Sequence, residues 1–147
     1  MPTRLTDRCW LIGLRGVNAY LVEDLPDGVD SQEEADTDES VLTLVDAGTP
    51  LDAKRLKREI RATGHAPSDI ERVLVTHYDM DHVGSLARLG LDATIYLGRP
   101  DADYLAGRER PPTNLHKGLL QRVFAPLLDV EGCLLYTSPS PRDGLLS

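Results

Sequence analysis

The 147 residues carry 24 Asp and Glu against 16 Lys and Arg, a formal net charge of −8, and are 41% hydrophobic. That is enough chain and enough apolar content for one soluble domain with a real core. The acid excess argues against a partner that needs a basic face, whether nucleic acid or an anionic membrane surface.

No apolar run approaches the roughly 20 residues of a membrane span. The stretch from Met1 to Gly13 is too short and too polar for a signal peptide, so a cytoplasmic protein with a small-molecule substrate is expected. Cys9 and Cys133 lie far apart in the chain and suggest neither a close zinc-binding pair nor a disulfide framework. Cys9 is expected to be a small buried residue in or beside a strand. Aromatic residues make up 5% of the chain, so Val and Leu must fill most of the core.

In chain order, the apolar runs at 9–14 and 19–22, punctuated by Gly13, Gly16 and Asn18, predict two antiparallel strands joined by a short turn. Residues 23–40 hold nine acids and no Lys or Arg, with Pro26, Gly28 and Ser31 among them. Such a stretch buries too little apolar surface to order itself and reads as a solvated hairpin insertion. The β-branched run Val41-Leu42-Thr43-Leu44-Val45 predicts a buried strand. Residues 51–63 place Leu51, Leu56 and Ile60 among Lys and Arg, an amphipathic helix that Gly64 closes. A strand over 72–76 follows, then a helix over 84–89, a strand over 93–97, a helix over 101–107 and another over 116–128. Strands alternating with helices imply a mixed sheet covered by helices.

The run from Cys133 to Asp143, Cys-Leu-Leu-Tyr-Thr-Ser-Pro-Ser-Pro-Arg-Asp, resembles the translation of a transposase-type sequencing adapter, and residues 144–147 fit a sample index in the same frame. Residues 1–132 are therefore expected to be the native sequence. Residues 133–147 are expected to be a non-native tail that makes no specific contact with the core.

One segment concentrates ligand-type side chains. His77, Asp79, Asp81 and His82 fall within six positions, directly after a predicted strand. Residues two apart in an extended segment point to the same side, so His77 and Asp79 can share one metal ion. A turn into a helix would let Asp81 and His82 face a second ion. Imidazole and carboxylate suit zinc, and also manganese or iron. The chemistry expected of such a centre is hydrolysis by an activated water, with Asp81 holding that water and taking its proton. His65 follows a helix C-terminus, where partial positive charge is favoured, and is expected to serve the surface. His116, beyond a Pro-rich loop, is not expected to be a ligand.

The pattern Thr76-His77-x-Asp79-x-Asp81-His82-x-Gly84 resembles the signature of the metallo-beta-lactamase fold superfamily, Thr-His-x-His-x-Asp-His-x-Gly. Asn18-Ala19-Tyr20-Leu21-Val22 and Leu44-Val45-Asp46-Ala47-Gly48 match supporting features of that family in order. The resemblance implies an α/β (α+β) chain forming the N-terminal part of a four-layer αββα sandwich with a dinuclear site at the sheet edge. It assigns His77 and position 79 to the first metal, Asp81 and His82 to the second, and a supporting role to Asp46. Asp79 stands where a His is usual, and its oxygen donor favours a harder metal and makes a beta-lactam substrate less expected. A further His, a bridging Asp and a final His are implied beyond Gly132. The expected activity is hydrolysis of an ester, thioester or lactone. The alternatives are an oxidoreductase or sulfur-handling member of the same fold, or a non-catalytic binding domain.

Overall fold

The computed structural model describes residues 1–24, 40–99, 101–105 and 135–136. Strands β1 (Thr3–Thr6), β2 (Cys9–Gly13), β3 (Asn18–Asp24) and β4 (Val41–Val45) form an antiparallel meander. The chain then crosses the sheet through α1 (Ala53–Ala62) and a 3-10 turn (Pro67–Asp69) to β5 (Ile70–Val75). Two single-turn helices, α2 (Met80–Val83) and α3 (Leu86–Leu89), lead on to β6 (Thr94–Leu97). Both β5 and β6 run parallel to β4. Helix α4 (Asp101–Leu105) follows, and β7 (Leu135–Tyr136) pairs in parallel outside β6, so the strand order of the sheet is that of the sequence.

Alternation along the strands decides which side of the sheet becomes the core. Trp10, Ile12, Ala19, Leu21, Leu42, Leu44, Val73, Val75, Ile95 and Leu97 all point to one face and are buried there. Against them pack Leu56 and Ile60 of α1, Val83 of α2, and Leu86 and Leu89 of α3. Each fully buried Leu or Ile contributes roughly 1.5–3 kcal/mol relative to exposure. The opposite face carries a row in register across five strands: Leu11, Tyr20, Val45, Leu74 and Tyr96. These side chains are half-buried, and Leu74 is 39% exposed. The described residues thus form one sheet with helices packed on one side of it. No helix among the described residues is long and apolar enough to cross a membrane.

The structure departs from the sequence reading in several places. The strand Thr3–Thr6 has no apolar alternation to announce it and is exposed throughout, held by its pairing with β2. Strand β3 runs on through Glu23 and Asp24, which pair with Leu42 and Val41, so the acidic insertion begins later than its composition implies. Leu51 lies outside α1 and is 64% exposed, and Ala53 takes the buried place beside Leu56 and Ile60. The ligand helix begins at Met80 and breaks around Gly84 and Ser85, giving two turns where one helix was expected. Leu135 and Tyr136 pair with Ile95 and Tyr96, whereas the tail was expected to make no specific contact. An open sheet edge accepts almost any strand-prone segment, because the ladder is made by backbone groups. Residues 25–39, the expected helix over 116–128, His116 and Cys133 lie outside the described residues.

Candidate metal centre

The centre is built where β4 and β5 end side by side. Strand β5 stops at Val75, and residues 76–79 leave it in a non-helical turn before Asp79, in extended conformation, becomes the N-cap residue of α2. His77 and Asp79 therefore fall on one side, with His77 Nε2 and Asp79 Oδ2 3.7 Å apart. The helical turn brings Asp81 and His82 round to the same place. One donor atom from each of His77, Asp81 and His82 lies within 4.8 Å of the others. The two imidazoles are 3.8 Å apart between centroids and tilted by 47°. Asp79 stands beside His77 and outside that three-residue group.

Beneath the ligands sits Asp46. It adopts a left-handed conformation, φ 57°, which Asp tolerates better than most residues. That backbone turn drives its carboxylate under the motif, where it is 5% exposed. Oδ1 accepts the Thr76 amide at 2.9 Å, and Oδ2 accepts the Thr76 hydroxyl at 2.8 Å. His82 Nδ1 is also 2.8 Å from Oδ2. A carboxylate only accepts, so His82 donates from Nδ1, and in the neutral imidazole this leaves Nε2 as the acceptor. Thr76 gives its single hydroxyl proton to Asp46 and can then only accept from His77 Nδ1, 3.0 Å away. Both rings are thereby set with Nδ1 protonated and Nε2 free for a ligand. His82 Nε2 is 3.6 Å from Asp81 Oδ2 on that free side. Orientation of a metal-binding imidazole through its far nitrogen is how protein sites fix tautomer and raise ligand basicity.

The donor set fits a divalent transition ion. Donors bound to one ion at about 2.1 Å lie no more than about 4.2 Å apart, so these three need only a small closing movement. Two neutral imidazoles with one carboxylate suit zinc, and the nearby second carboxylate of Asp79 adds an oxygen donor for a harder ion.

A family model for the metallo-beta-lactamase superfamily matches residues 12–141. The chain belongs to this superfamily. Among solved structures, BJP-1, a subclass B3 metallo-beta-lactamase of Bradyrhizobium japonicum, is 26% identical with a TM-score of 0.60, over 79% of this chain and 40% of that one. The Rm3 metallo-beta-lactamase is 27% identical with a TM-score of 0.56, over 71% of this chain and 35% of that one. A Cronobacter sakazakii metallo-beta-lactamase with a HARLDQ motif shares the fold at 24% identity and a TM-score of 0.57, over 72% of this chain and 36% of that one. The chain therefore spans well under half the length of the metallo-beta-lactamases it matches.

Within this superfamily member, the sequence pattern found the ligand-type residues, and the resemblance gave Asp46 a supporting role without the partners it orients. Asp46 looks like a strand-end turn residue, and its three contacts with Thr76 and His82 span 30 and 36 positions. The positive φ that aims it is the only local oddity, and the following Ala47 and Gly48 hint at it. His65 is not a free surface residue: it is 3.0 Å from Glu23 and edge-on to Trp10 at 5.3 Å. Cys9 sits in β2, only half-buried.

Proposed function

We propose that this chain carries the first half of the metal centre of a hydrolase that cleaves an ester, thioester or lactone. The observation that supports it most is the convergence of His77, Asp81 and His82 within 4.8 Å at the end of β5 in a metallo-beta-lactamase-superfamily chain. A divalent ion held there, zinc first and manganese or iron as alternatives, supplies Lewis acidity and acidifies a coordinated water.

In this reading His77 and Asp79 hold a first ion and Asp81 and His82 a second, so the three donors that converge within 4.8 Å would divide between two neighbouring ions. Thr76 and Asp46 orient the imidazoles. Asp81, with 47% of its side chain exposed, is the ligand best placed to accept the proton of the attacking water. The remaining ligands and the substrate pocket come from sequence beyond this chain. The carboxylate at position 79 lowers the charge of the first site and makes a beta-lactam the less suitable substrate, although the similar solved structures are named metallo-beta-lactamases.

The test uses the protein extended by its own downstream sequence. Elemental analysis is expected to find about two transition-metal ions per chain. Turnover is expected in a panel of an aryl ester, a thioester and a lactone, with nitrocefin as the beta-lactam arm. Asp81→Ala is expected to lower turnover at least about 100-fold, since it removes a ligand and a proton acceptor together. Wild-type turnover in that variant, or in metal-free protein, overturns the reading. Metal without hydrolysis in any arm favours the oxidoreductase or sulfur-handling branch. A full-length protein that binds no metal is a binding domain.

A further inference from the structure

Strands β5 and β6 end level, with Val75 opposite Leu97, so the ligand loop and the segment leading into α4 emerge side by side. Helix α4 is fixed to the body of the domain: Ala102 is fully buried, and its amide donates to Gly98 O at 3.0 Å. Two residues of α4 reach the ligand loop, and both reach Tyr78, the residue between His77 and Asp79. Asp101 Oδ2 accepts the Tyr78 amide at 3.2 Å. The Tyr104 ring meets the Tyr78 ring edge-on, 6.2 Å between centroids at 63°. Positions 101 and 104 are three apart and share one face of a helix, so a single face holds both the backbone and the side chain of Tyr78.

We propose that this face of α4 sets the conformation of the ligand loop, with Asp101 as a positioning residue for metal binding at His77 and Asp79. The physical reason is the alternation of the loop. His77 and Asp79 share one side only while the backbone between them stays extended. The Tyr78 amide is the backbone donor of the residue between them, and Asp101 ties it to a helix anchored by the buried Ala102. The Tyr78 ring, turned toward α4, keeps the residue from rotating. Loss of the tie lets the loop sample conformations in which the two donors diverge, so metal binding must pay for reordering it. The inference rests on the reading of this loop as a metal centre, and its test separates the two.

The 147-residue chain, Asp101→Ala and Asp101→Asn are compared by zinc competition against a chromophoric chelator. Hydrogen exchange of the peptide holding Tyr78 is followed by mass spectrometry in the metal-free state. Removal of a partner that orients a ligand weakens affinity about 10- to 100-fold, and D101A is expected in that range. The Asn side-chain carbonyl still accepts the amide, so D101N is expected to bind zinc within about threefold of the parent and to keep Tyr78 equally protected. D101A is expected to exchange faster at that amide while melting within a few degrees of the parent. The inference is overturned by D101A binding zinc like the parent, by D101N binding as weakly as D101A (which makes charge and not the hydrogen bond responsible), or by loss of the folded state in D101A. If the parent itself, which carries only part of the ligand set, binds no zinc, the metal reading is decided on the extended protein. The exchange comparison then decides alone: equal Tyr78 exchange in the parent and D101A overturns the positioning role, and faster exchange in D101A with protection in D101N upholds it.

Discussion

Asp46 is the residue on which the ligand geometry turns. Its carboxylate satisfies the amide and hydroxyl of Thr76 and the Nδ1 proton of His82, from a backbone conformation that most side chains avoid. Asp46→Ala leaves those donors without an acceptor and puts Cβ-bearing, locally unassisted backbone in the left-handed region. A loss of roughly 3 kcal/mol is expected, read from urea unfolding. Asp46→Asn is the sharper variant. It keeps the tolerated backbone and one acceptor oxygen, but its amide nitrogen repels a protonated His82 Nδ1. His82 then favours the tautomer that occupies Nε2, so the fold is expected to persist while zinc affinity falls about tenfold or more. A D46N chain with parental zinc affinity contradicts the assigned tautomer. Farther from the centre, Glu59 of α1 is 4% exposed and its carboxyl is held below the usual carboxylate range. A hydrogen bond from Arg58 is the main cause, opposed by burial and aided by the Met1 amino group. A lowered native pKa contributes stability above the unfolded value and loses it as pH falls through the native one. Glu59→Gln is therefore expected to flatten the fall in unfolding free energy as pH drops through and below the ordinary carboxylate range, with the parent showing the steeper curve.

At the scale of the element, α2 is too short to hold itself, since one turn costs more in chain entropy than its bonds return. It is positioned by packing. Ala47 donates to His82 O at 2.7 Å, Ser85 Oγ to Thr49 O at 2.6 Å, and Arg88 to Pro50 O at 3.1 Å, so the 46–50 turn is stitched to the ligand helices. Gly84 makes that approach possible: a Cβ there meets Pro50 Cδ and the Met80 carbonyl, and stands 2.6 Å from Pro50 N. Gly84→Ala therefore forces the two backbones apart. Gly90 ends α3 at φ 63° with open space around it, so Gly90→Ala costs only the backbone strain, about 1 kcal/mol. G84A is expected to destabilise by at least about twice as much and to weaken zinc binding, while G90A leaves zinc affinity unchanged. Equal effects in both assays contradict the close-approach account.

At the scale of the whole molecule, the decisive feature is a sheet on which the described helices cover one face. The row Leu11, Tyr20, Val45, Leu74 and Tyr96 crosses five strands on the side away from α1. Leu42, Leu44, Val73 and Val75 are buried beneath the helices, and Val45 and Leu74 belong to the other face. The superfamily sandwich supplies a second sheet for such a face, and this chain spans 35–40% of the length of the similar structures compared above. An apolar sheet face of this kind promotes association. The 147-residue chain is expected to self-associate in light scattering and to show no turnover. Leu74→Glu is expected to shift it toward monomer. A monomer that unfolds cooperatively and hydrolyses the substrate panel with zinc overturns this account.

Ligand chemistry and strand periods are local properties, and they were legible without coordinates. The strands around Trp10, Leu21, Leu44, Val73 and Ile95, the α1 face of Leu56 and Ile60 and its closure near Gly64 all follow from alternation, helical spacing and turn residues. So does the density of His and Asp from His77 to His82. What the sequence left open depends on contacts between residues far apart in the chain. Asp46 reaches Thr76 and His82 across 30 and 36 positions, and Asp101 reaches Tyr78 across 23, through carboxylates that locally resemble any turn or helix-start acid. Pairing holds the exposed β1, and Pro50 lies against Gly84 where the two ligand helices meet. The sequence by itself determined which side chains could bind a metal. Only the tertiary structure decided which ring nitrogen each histidine presents, because folding brings Asp46 from the turn after β4 to accept from His82 and from the Thr76 hydroxyl, which leaves Thr76 to accept from His77.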